Sequence, residues 1–577
     1  MRDRLLIRHF LWRFLEHDLV SPNSDRHGVL SAVGGGLVTV SLFLSMLIML
    51  GYQFTNFLPP GITSLRSIDD RFLFTSASML VMALVAVAEW DALVLDVRDA
   101  AVLGPLPIPK AVLVRAKFAA TALFASVVVL AWNIAPILLR GWSLPLTLRI
   151  GWGGAFKLTL AQSVVTTASG VFGFLTVLGL REVVFALLGP ARFRQISAVL
   201  QASLVAVLTT ALLLLPFTSR AVASSWLAHG GLTAKALPSL WFVGLHETLA
   251  GSVIDDLPRT KPQYFLIVAE RDATALYRSL WPLYHQLAAI AIAAFVLVAI
   301  ATILACLWNS RRLPMASGRQ ASADGALRRG WNWSVVHVVA RTSLRQAGFF
   351  FALQTLSRRV SQRVAMAASL AIGMSLVVLT VNGGQVALLA AQPMLIASVL
   401  AGFRHATRIP AELRAGSTFS LALVGDAAPY ISGVKRAGWL AVVGPTLLAL
   451  AIWNTAILGR HVALLQLGAG LPLSALVMEI LFLRNRRLPF VSCYVASADV
   501  KLVGVAFLAS VLSMSFALAW VERSAFETAA GYVALLTVLL GLSVGVRVAD
   551  HASRGPAVAL DLDEQPVLPT QRLHLSS

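Results

Sequence analysis

The sequence predicts an all-α integral membrane protein with about twelve transmembrane helices in two groups of six, accompanied by interfacial amphipathic helices. Hydrophobic residues occupy 58% of the 577 positions and charged residues only 13%, and the mean hydropathy is +0.78. Uncharged runs of about 20 residues, the length that crosses the hydrocarbon core, recur along the chain. Lys and Arg are concentrated between those runs. Together these observations exclude an ordinary soluble domain.

The first half of the chain contains six predicted spans, preceded by an amphipathic stretch. Leu6, Phe10 and Phe14 share one face of that stretch while Arg8 and Arg13 share the other, which predicts a helix lying in the membrane interface. In chain order, the spans are Val29–Thr55, Phe72–Ala88, Phe118–Leu139, Leu158–Leu180, Gln195–Phe217 and Leu287–Trp308.

The second group begins with Val364–Phe403, an uncharged stretch about twice the length of one span. Asn382-Gly383-Gly384 in its middle is typical of a turn, so a helical hairpin is predicted. A second basic amphipathic helix is predicted before it, at about Ser334–Arg363, where Arg341 and Arg345 lie one turn apart. The remaining predicted spans are Ala437–Leu458, Val462–Met478, Leu502–Trp520 and Ala530–Val546.

These patterns divide the chain into domains. The first six-span domain is residues 1–308, with an external element at 218–284, and the second is residues 334–550. Residues 309–333 are predicted to be a cytoplasmic linker and 551–577 a disordered cytoplasmic tail. Within the external element, Leu237–Gly251 is predicted to be a helix in, or dipping into, the outer interface. The alternative is an ordinary external loop whose aromatic side chains anchor at the headgroups.

The distribution of Lys and Arg predicts the orientation, because short loops rich in these residues stay in the cytoplasm. Both termini are predicted to be cytoplasmic, as is the run Arg484-Asn485-Arg486-Arg487. Glu479, about one turn before this run, is predicted to pair with Arg484 or to extend toward the cytoplasmic face. The formal net charge of +20 would suit nucleic acid, but the cations alternate with apolar runs. The predicted partner is therefore the lipid bilayer, and nucleic acid is not expected.

No catalytic residue, metal site or cofactor is predicted. Gly153–Thr159 comes nearest to a nucleotide-binding loop, but no Gly precedes Lys157. His246-Glu247 begins like a zinc-protease helix, but Ala250 occupies the position of the second His. His246 is therefore interpreted as a polar edge residue. The chain is not expected to be an enzyme.

One segment resembles a known family. After the second predicted span the sequence reads Leu103-Gly104-Pro105-Leu106-Pro107-Ile108-Pro109-Lys110 and then Val114-Arg115-Ala116-Lys117-Phe118. It resembles the cytoplasmic segment of type-2 ABC exporter permeases, which leads into the third span and contacts the ATPase. The order of an interfacial helix, six spans and an external element before the sixth is also similar. Arg408-Ile409-Pro410-Ala411-Glu412-Leu413-Arg414-Ala415 and Arg487-Leu488-Pro489-Phe490 resemble extended bacterial members with two sets of spans.

The resemblance implies the membrane permease subunit of an ATP-driven exporter in the bacterial inner membrane, working with a separate ABC ATPase. Whether a second copy of the chain is also a partner stays open. The implied coupling loop is formed by Asp96, Arg98, Asp99, Pro105, Pro107 and Lys110. A further cytoplasmic contact is implied at Arg408, Glu412 and Arg414.

The coupling loop also has physical properties that suit this role. Its prolines fix φ and prevent a continuous helix, and its charges suit a wet, switchable interface. Two alternatives stay open. Asp91, Asp96 and Asp99 could hold a divalent metal in a lipid-linked transferase, although Arg98 among them favours an ion-paired loop. An ion-coupled secondary transporter would be indicated by acids near the middle of the membrane.

Overall fold

Helices form every regular element in the part of the chain that the computed structural model describes. That part comprises residues 2–15, 26–53, 60–90, 109–140, 151–228, 232–251, 267–312, 342–381, 383–411, 428–483, 488–490 and 500–553. The chain divides into two units, Met1–Gln320 and Ala321–Ser577, which are described separately. The division falls inside the predicted linker.

The first unit contains nine helices among its described residues. They are α1 (Arg2–Leu15), α2 (Arg26–Gln53), α3 (Pro60–Ala88), α4 (Lys110–Ala135), α5 (Trp152–Ala228), α6 (Leu232–Ala236), α7 (Pro238–Ala250), α8 (Ile267–Ser279) and α9 (Trp281–Arg312). A π-helical turn, Pro136–Arg140, extends α4. Gly189 interrupts α5 with a φ of 71°, which a residue with a Cβ rarely adopts, so α5 contains two consecutive apolar segments.

The second unit contains eight helices among its described residues. They are α10 (Ser343–Arg358), α11 (Val360–Thr380), α12 (Gly384–Arg408), α13 (Ala428–Gly438), α14 (Gly444–Ile457), α15 (Arg460–Leu481), α16 (Val500–Ala525) and α17 (Ala529–Ser553). A π-helical segment, Trp439–Val443, joins α13 to α14. The predicted hairpin is present as α11 and α12, and Gly384 turns between them with a φ of 78°.

The chain is therefore an all-α, multi-pass membrane protein, as predicted. Ten helical segments in the described residues are long and apolar enough to cross a membrane. The count of twelve is not confirmed. The two other predicted spans, Val29–Thr55 and Leu502–Trp520, overlap α2 and α16, which are helices of 28 and 26 residues.

Two helices continue past predicted domain boundaries. The linker was expected to begin at Asn309, but α9 continues to Arg312. Asn309 is buried and its side-chain amide donates 2.9 Å to the carbonyl oxygen of Glu182, so it belongs to the helix bundle. The tail was expected to begin at His551, but α17 continues to Ser553.

The first unit is organised around close packing between α3 and α5. A Cβ at Gly173 would overlap the carbonyl oxygen of Met79, so the two backbones touch. Ser78 Oγ donates 2.8 Å to the carbonyl oxygen of Thr166, and Asn133 Nδ2 of α4 donates 2.9 Å to Ser78 Oγ. Small residues and interhelical hydrogen bonds are what hold helices together in lipid, where apolar contact gives little preference for protein over lipid.

Candidate functional site

Most of the predicted coupling loop lies outside the described residues. Its members there are Asp96, Arg98, Asp99, Pro105 and Pro107. Lys110 is the first residue of α4. Pro109 precedes it in an extended conformation, with a φ of −58° and a ψ of 133°. The helix therefore begins directly after the last proline, as expected from the ring's fixed φ and missing N–H.

The helix end that leads into this loop is firmly anchored. Trp90 is 1% exposed, and its indole Nε1 donates 2.9 Å to Ser197 Oγ. The Gln201 side-chain amide donates 3.0 Å to the carbonyl oxygen of Val87. Both partners lie in the second apolar segment of α5. The chain thus leaves α3 for the loop from a position fixed by a buried aromatic ring and two hydrogen bonds.

The helix end that leaves the loop is anchored by the N-terminal helix. Phe10 of α1 is fully buried, and Lys117 Nζ of α4 lies 4.8 Å from the centre of its ring. Glu89 completes this cluster and is 8% exposed. Burial raises the pKa of Glu89 to about 8, although the positive charge of Lys117 opposes the shift. The amphipathic α1 is present as predicted, and its apolar face packs against α4.

The wild-type protein is expected to become less stable as the pH rises from 4.5 to about 8. The variant Glu89→Gln is expected not to show this loss. A raised pKa means that the folded state binds the proton more tightly, so the stabilisation is complete below pH 4.5 and is lost as the pH rises through about 8. Glutamine copies the neutral form and does not titrate. Thermal unfolding in detergent across this range should show that, at alkaline pH, the free energy of unfolding of the variant exceeds that of the wild type by about 1–2 kcal/mol.

Glu527→Gln, at an exposed carboxylate, should leave the pH profile of the wild type unchanged. Parallel profiles for the wild type and Glu89→Gln would contradict the assignment of Glu89 as a buried, proton-binding group.

A carboxylate of the predicted external element forms a buried ion pair with α3. Its helix α7 packs against α3, α5 and α9, so Leu237–Gly251 is a packed helix and the alternative of an ordinary external loop is wrong. Arg71 of α3 forms a buried salt bridge with Glu247, which also accepts a hydrogen bond from the Tyr277 hydroxyl of α8. Three helices thus meet at one carboxylate.

His246 is not the polar edge residue that the sequence suggested. It is 2% exposed, and its Nδ1 lies 3.6 Å from Glu247 Oε1. Burial pushes the pKa of Glu247 upward, but Arg71, then His246 and the hydrogen bond from Tyr277 outweigh burial and lower the pKa to about 2. Glu247 is therefore charged at every physiological pH.

The second predicted cytoplasmic contact is only partly described. Arg408 ends α12 and is exposed, whereas Glu412 and Arg414 lie outside the described residues. The two motifs of the second half are adjacent in space. The Phe490 N–H donates 2.7 Å to the carbonyl oxygen of Thr407, and the Ala411 N–H donates 2.8 Å to that of Phe490. These bonds hold Phe490 at a φ of 66°, a left-handed conformation that is costly for an aromatic residue.

Glu479 is paired, as expected, but its observed partner is Lys435. Lys435 Nζ lies 2.6 Å from Glu479 Oε2, and the two side chains are 15% and 18% exposed. Arg484, the partner that the sequence suggested, lies outside the described residues. The pair joins α13 to α15.

A cluster of amides and one carboxyl is buried inside the second unit. Asn454 Nδ2 donates 2.6 Å to Gln466 Oε1 and Gln466 Nε2 donates 3.3 Å to Glu522 Oε2. Gln392 Nε2 donates 2.6 Å to the carbonyl oxygen of Gln466. Glu522 is fully buried, and its Oε1 has no hydrogen-bond partner among the described residues. The sequence pattern did not predict a role for this carboxyl, because it lies just after the predicted span that ends at Trp520.

No group of three or more His, Cys, Asp or Glu residues in the described part of the chain is placed to hold a metal ion. The candidate metal cluster of Asp91, Asp96 and Asp99 lies outside that part. The lipid-linked transferase therefore stays a hypothesis. No protein-family model, curated protein or solved structure matches the chain.

Proposed function

We propose that this chain is the membrane permease subunit of an ATP-driven exporter, and that a separate ABC ATPase drives it through the loop between α3 and α4. The observation that carries the proposal is the anchoring of both ends of that loop. Trp90 and Glu89 fix the end of α3, while Lys117 and Phe10 fix the start of α4. A force applied to a loop moves the attached helices only if their ends do not yield.

The helix α3 can carry a displacement through the first unit. Its candidate span, Ile62–Ala88, has 27 residues, which corresponds to a rod of about 40 Å. Backbone contact at Gly173 and the Ser78 hydrogen bond tie this rod to α5. In the half of α3 that is remote from the loop, the Arg71–Glu247 salt bridge ties it to α7. One rigid helix thus connects the proposed ATPase contact with the element predicted to be external.

The arrangement also agrees with the family that the sequence resembles. An amphipathic N-terminal helix packs on the start of α4, and the helices α7 and α8 precede the last span of the first unit. The second unit similarly opens with a helix that is not a span, α10, although it has no helical insertion before α17 in the described residues.

The proposed coupling loop is tested by co-purification of the candidate ATPase. Arg98→Glu, Asp99→Lys and Pro107→Gly are expected to reduce recovery of the ATPase several-fold while expression and membrane insertion stay near normal. Interface charges govern association, and their replacement outside the hydrocarbon costs little in folding. The matched control is Arg192→Glu, a charge reversal at an exposed site in another predicted cytoplasmic segment. Unchanged recovery for all three loop variants would remove this loop as the coupling site.

An ion-coupled secondary transporter is the second candidate, and Glu522 favours it. A buried carboxylate without a cationic partner is costly, so this site suits a carboxyl that carries a proton or binds a cation. The Gln466 amide donates to Glu522, and Gln466 is in turn hydrogen-bonded to Asn454 and Gln392. Such a cluster in a membrane protein is expected to be functional more often than structural.

Labelling with a hydrophobic carbodiimide tests this candidate, because the reagent modifies protonated carboxyls in apolar surroundings. Glu522 is expected to be labelled in the purified protein, and labelling should decline as the pH is raised or sodium is added. Glu479, which is paired with Lys435, serves as the internal control and should stay unlabelled. Absence of label at Glu522 at every pH would withdraw the support for ion coupling.

A further inference from the structure

A cavity of about 400 Å³ lies within the second unit, where the ends of α13, α15 and α17 meet α10. Its size falls within the range of about 300–1,000 Å³ that is usual for small-molecule sites. Six charged side chains line it, namely Arg345, Lys435, Arg436, Arg547, Glu479 and Asp550. Cations outnumber carboxylates by four to two in this lining.

Positive charge predominates in this lining. Lys435 and Glu479 form an ion pair across 2.6 Å. Arg345, Arg436 and Arg547 add three further cations, and Asp550 is the other carboxylate of the lining. Arg345 Nε is buried and has no hydrogen-bond partner among the described residues, although a guanidinium normally uses its donors. The cavity therefore attracts an anion with several acceptor oxygens, which is the property of a phosphate group.

The surroundings of the cavity indicate where such a phosphate comes from. All four helix ends belong to the side that the Lys and Arg distribution predicts to be cytoplasmic. Leu540, Val544 and Val548 recur as a stripe at every fourth position along α17, on either side of Arg547, and each is more than half exposed. Trp439, an aromatic residue suited to the lipid–water interface, also lines the cavity. An acyl chain can lie along that stripe while its headgroup occupies the cavity.

We propose that this cavity is a binding site for a phosphate-bearing anion, with the headgroup of an anionic phospholipid as its source. Basic pockets between transmembrane helices on the cytoplasmic side take such headgroups. The three arginines supply charge-assisted donors, and Trp439 with the α17 stripe accommodates the glycerol and the first part of the acyl chain. None of its lining residues belongs to the proposed coupling loop, which lies in the first unit.

The test uses the delipidated full-length protein in a neutral detergent, with native mass spectrometry as the measurement. Phosphatidylglycerol, phosphatidylcholine and inorganic phosphate are titrated separately. We expect one saturable phosphatidylglycerol site that phosphatidylcholine does not fill. Inorganic phosphate that binds alone and displaces phosphatidylglycerol would support a phosphate site open to free anions, whereas lipid binding that phosphate does not affect would identify the lipid as the ligand.

Variants assign the binding to the cavity. The triple variant Arg345→Gln, Arg436→Gln and Arg547→Gln is expected to lose at least about tenfold in affinity for phosphatidylglycerol. Arg547 is exposed, so the single variant Arg547→Gln should fold normally and still lose affinity several-fold. Ser432→Phe fills the cavity without changing charge and should also reduce binding.

The matched control is Arg358→Gln, which removes an exposed cation at the other end of α10, outside the cavity lining. It should bind as the wild type does, because general attraction between the membrane and basic residues does not depend on this cavity. Equal affinities for Arg547→Gln, Ser432→Phe and Arg358→Gln, or no saturable binding of either phosphate source by the wild type, would overturn the proposal.

Discussion

Replacing Arg71 with methionine should destabilise the protein by about 3–5 kcal/mol, because the change leaves Glu247 charged and buried without its cation. Arg71 and Glu247 are 5% and 1% exposed, so water cannot replace the missing partner. Since the pKa of Glu247 is lowered to about 2, the carboxylate is charged in the wild type. In the variant, Glu247 can avoid the cost of a buried, unpaired charge only by taking up a proton. Unfolding of the purified protein in detergent measures the loss.

The double variant Arg71→Met, Glu247→Leu should recover most of the stability that either single change removes. Replacement of a buried ion pair by apolar side chains is often neutral or favourable, whereas removal of one partner is not. Arg271→Met provides the matched control, because Arg271 is an exposed residue of α8, and its effect should stay within about 0.5 kcal/mol. Additive losses in the double variant would show that the two residues do not act as a pair.

This ion pair also explains why α3 is longer than the local sequence pattern predicts. The second span was predicted to begin at Phe72, because Arg71 ends the uncharged run, yet α3 begins at Pro60 and includes Arg71. A charge inside an apolar helix is acceptable when a partner neutralises it. That partner is 176 residues further along the chain, beyond the reach of any local pattern.

The same limitation affected two other predicted spans. Leu158–Leu180 was ended by Arg181 and Glu182, but the helix continues, with Arg181 and Asn309 as partners of the Glu182 carboxylate. Leu502–Trp520 was ended before Glu522, which lies in α16 and accepts a hydrogen bond from Gln466. Hydropathy therefore predicts where apolar helices are, and it underestimates their length wherever tertiary contacts stabilise a polar group.

The sequence pattern predicted those features that depend on contacts between neighbouring residues, and it did not predict those that depend on contacts with distant helices. The turn at Asn382-Gly383-Gly384 depends on neighbouring residues and was predicted. The buried position of His246 depends on the helices against which α7 packs, and it was not predicted. An acid on a largely apolar helix, such as Glu247 on α7, together with an arginine directly before an apolar run, such as Arg71, is the combination that could have indicated the pair.

Gly433→Ala and Gly348→Ala are expected to destabilise the second unit by about 1–3 kcal/mol each, because α10 and α13 cross with their backbones in contact. A Cβ at Gly433 would overlap the carbonyl oxygen of Arg345, and a Cβ at Gly348 would overlap that of Tyr430. Backbone atoms cannot rotate away as a side chain can, so the helices must separate. Alanine favours a helix over glycine by about 1 kcal/mol, which the clash has to exceed.

Gly545→Ala isolates the clash from the helix propensity. A Cβ there meets nothing within 4 Å, so this variant should match or exceed the wild type in the unfolding midpoint. The same Gly→Ala substitution is therefore expected to lower stability at Gly433 and Gly348, and to leave it equal or raise it at Gly545. Separation of α10 from α13 would also move Arg345 away from Lys435, so Gly433→Ala should weaken phosphatidylglycerol binding without altering any charge in the cavity. Stability equal to that of Gly545→Ala would mean that the α10–α13 crossing tolerates a wider spacing than these glycines indicate.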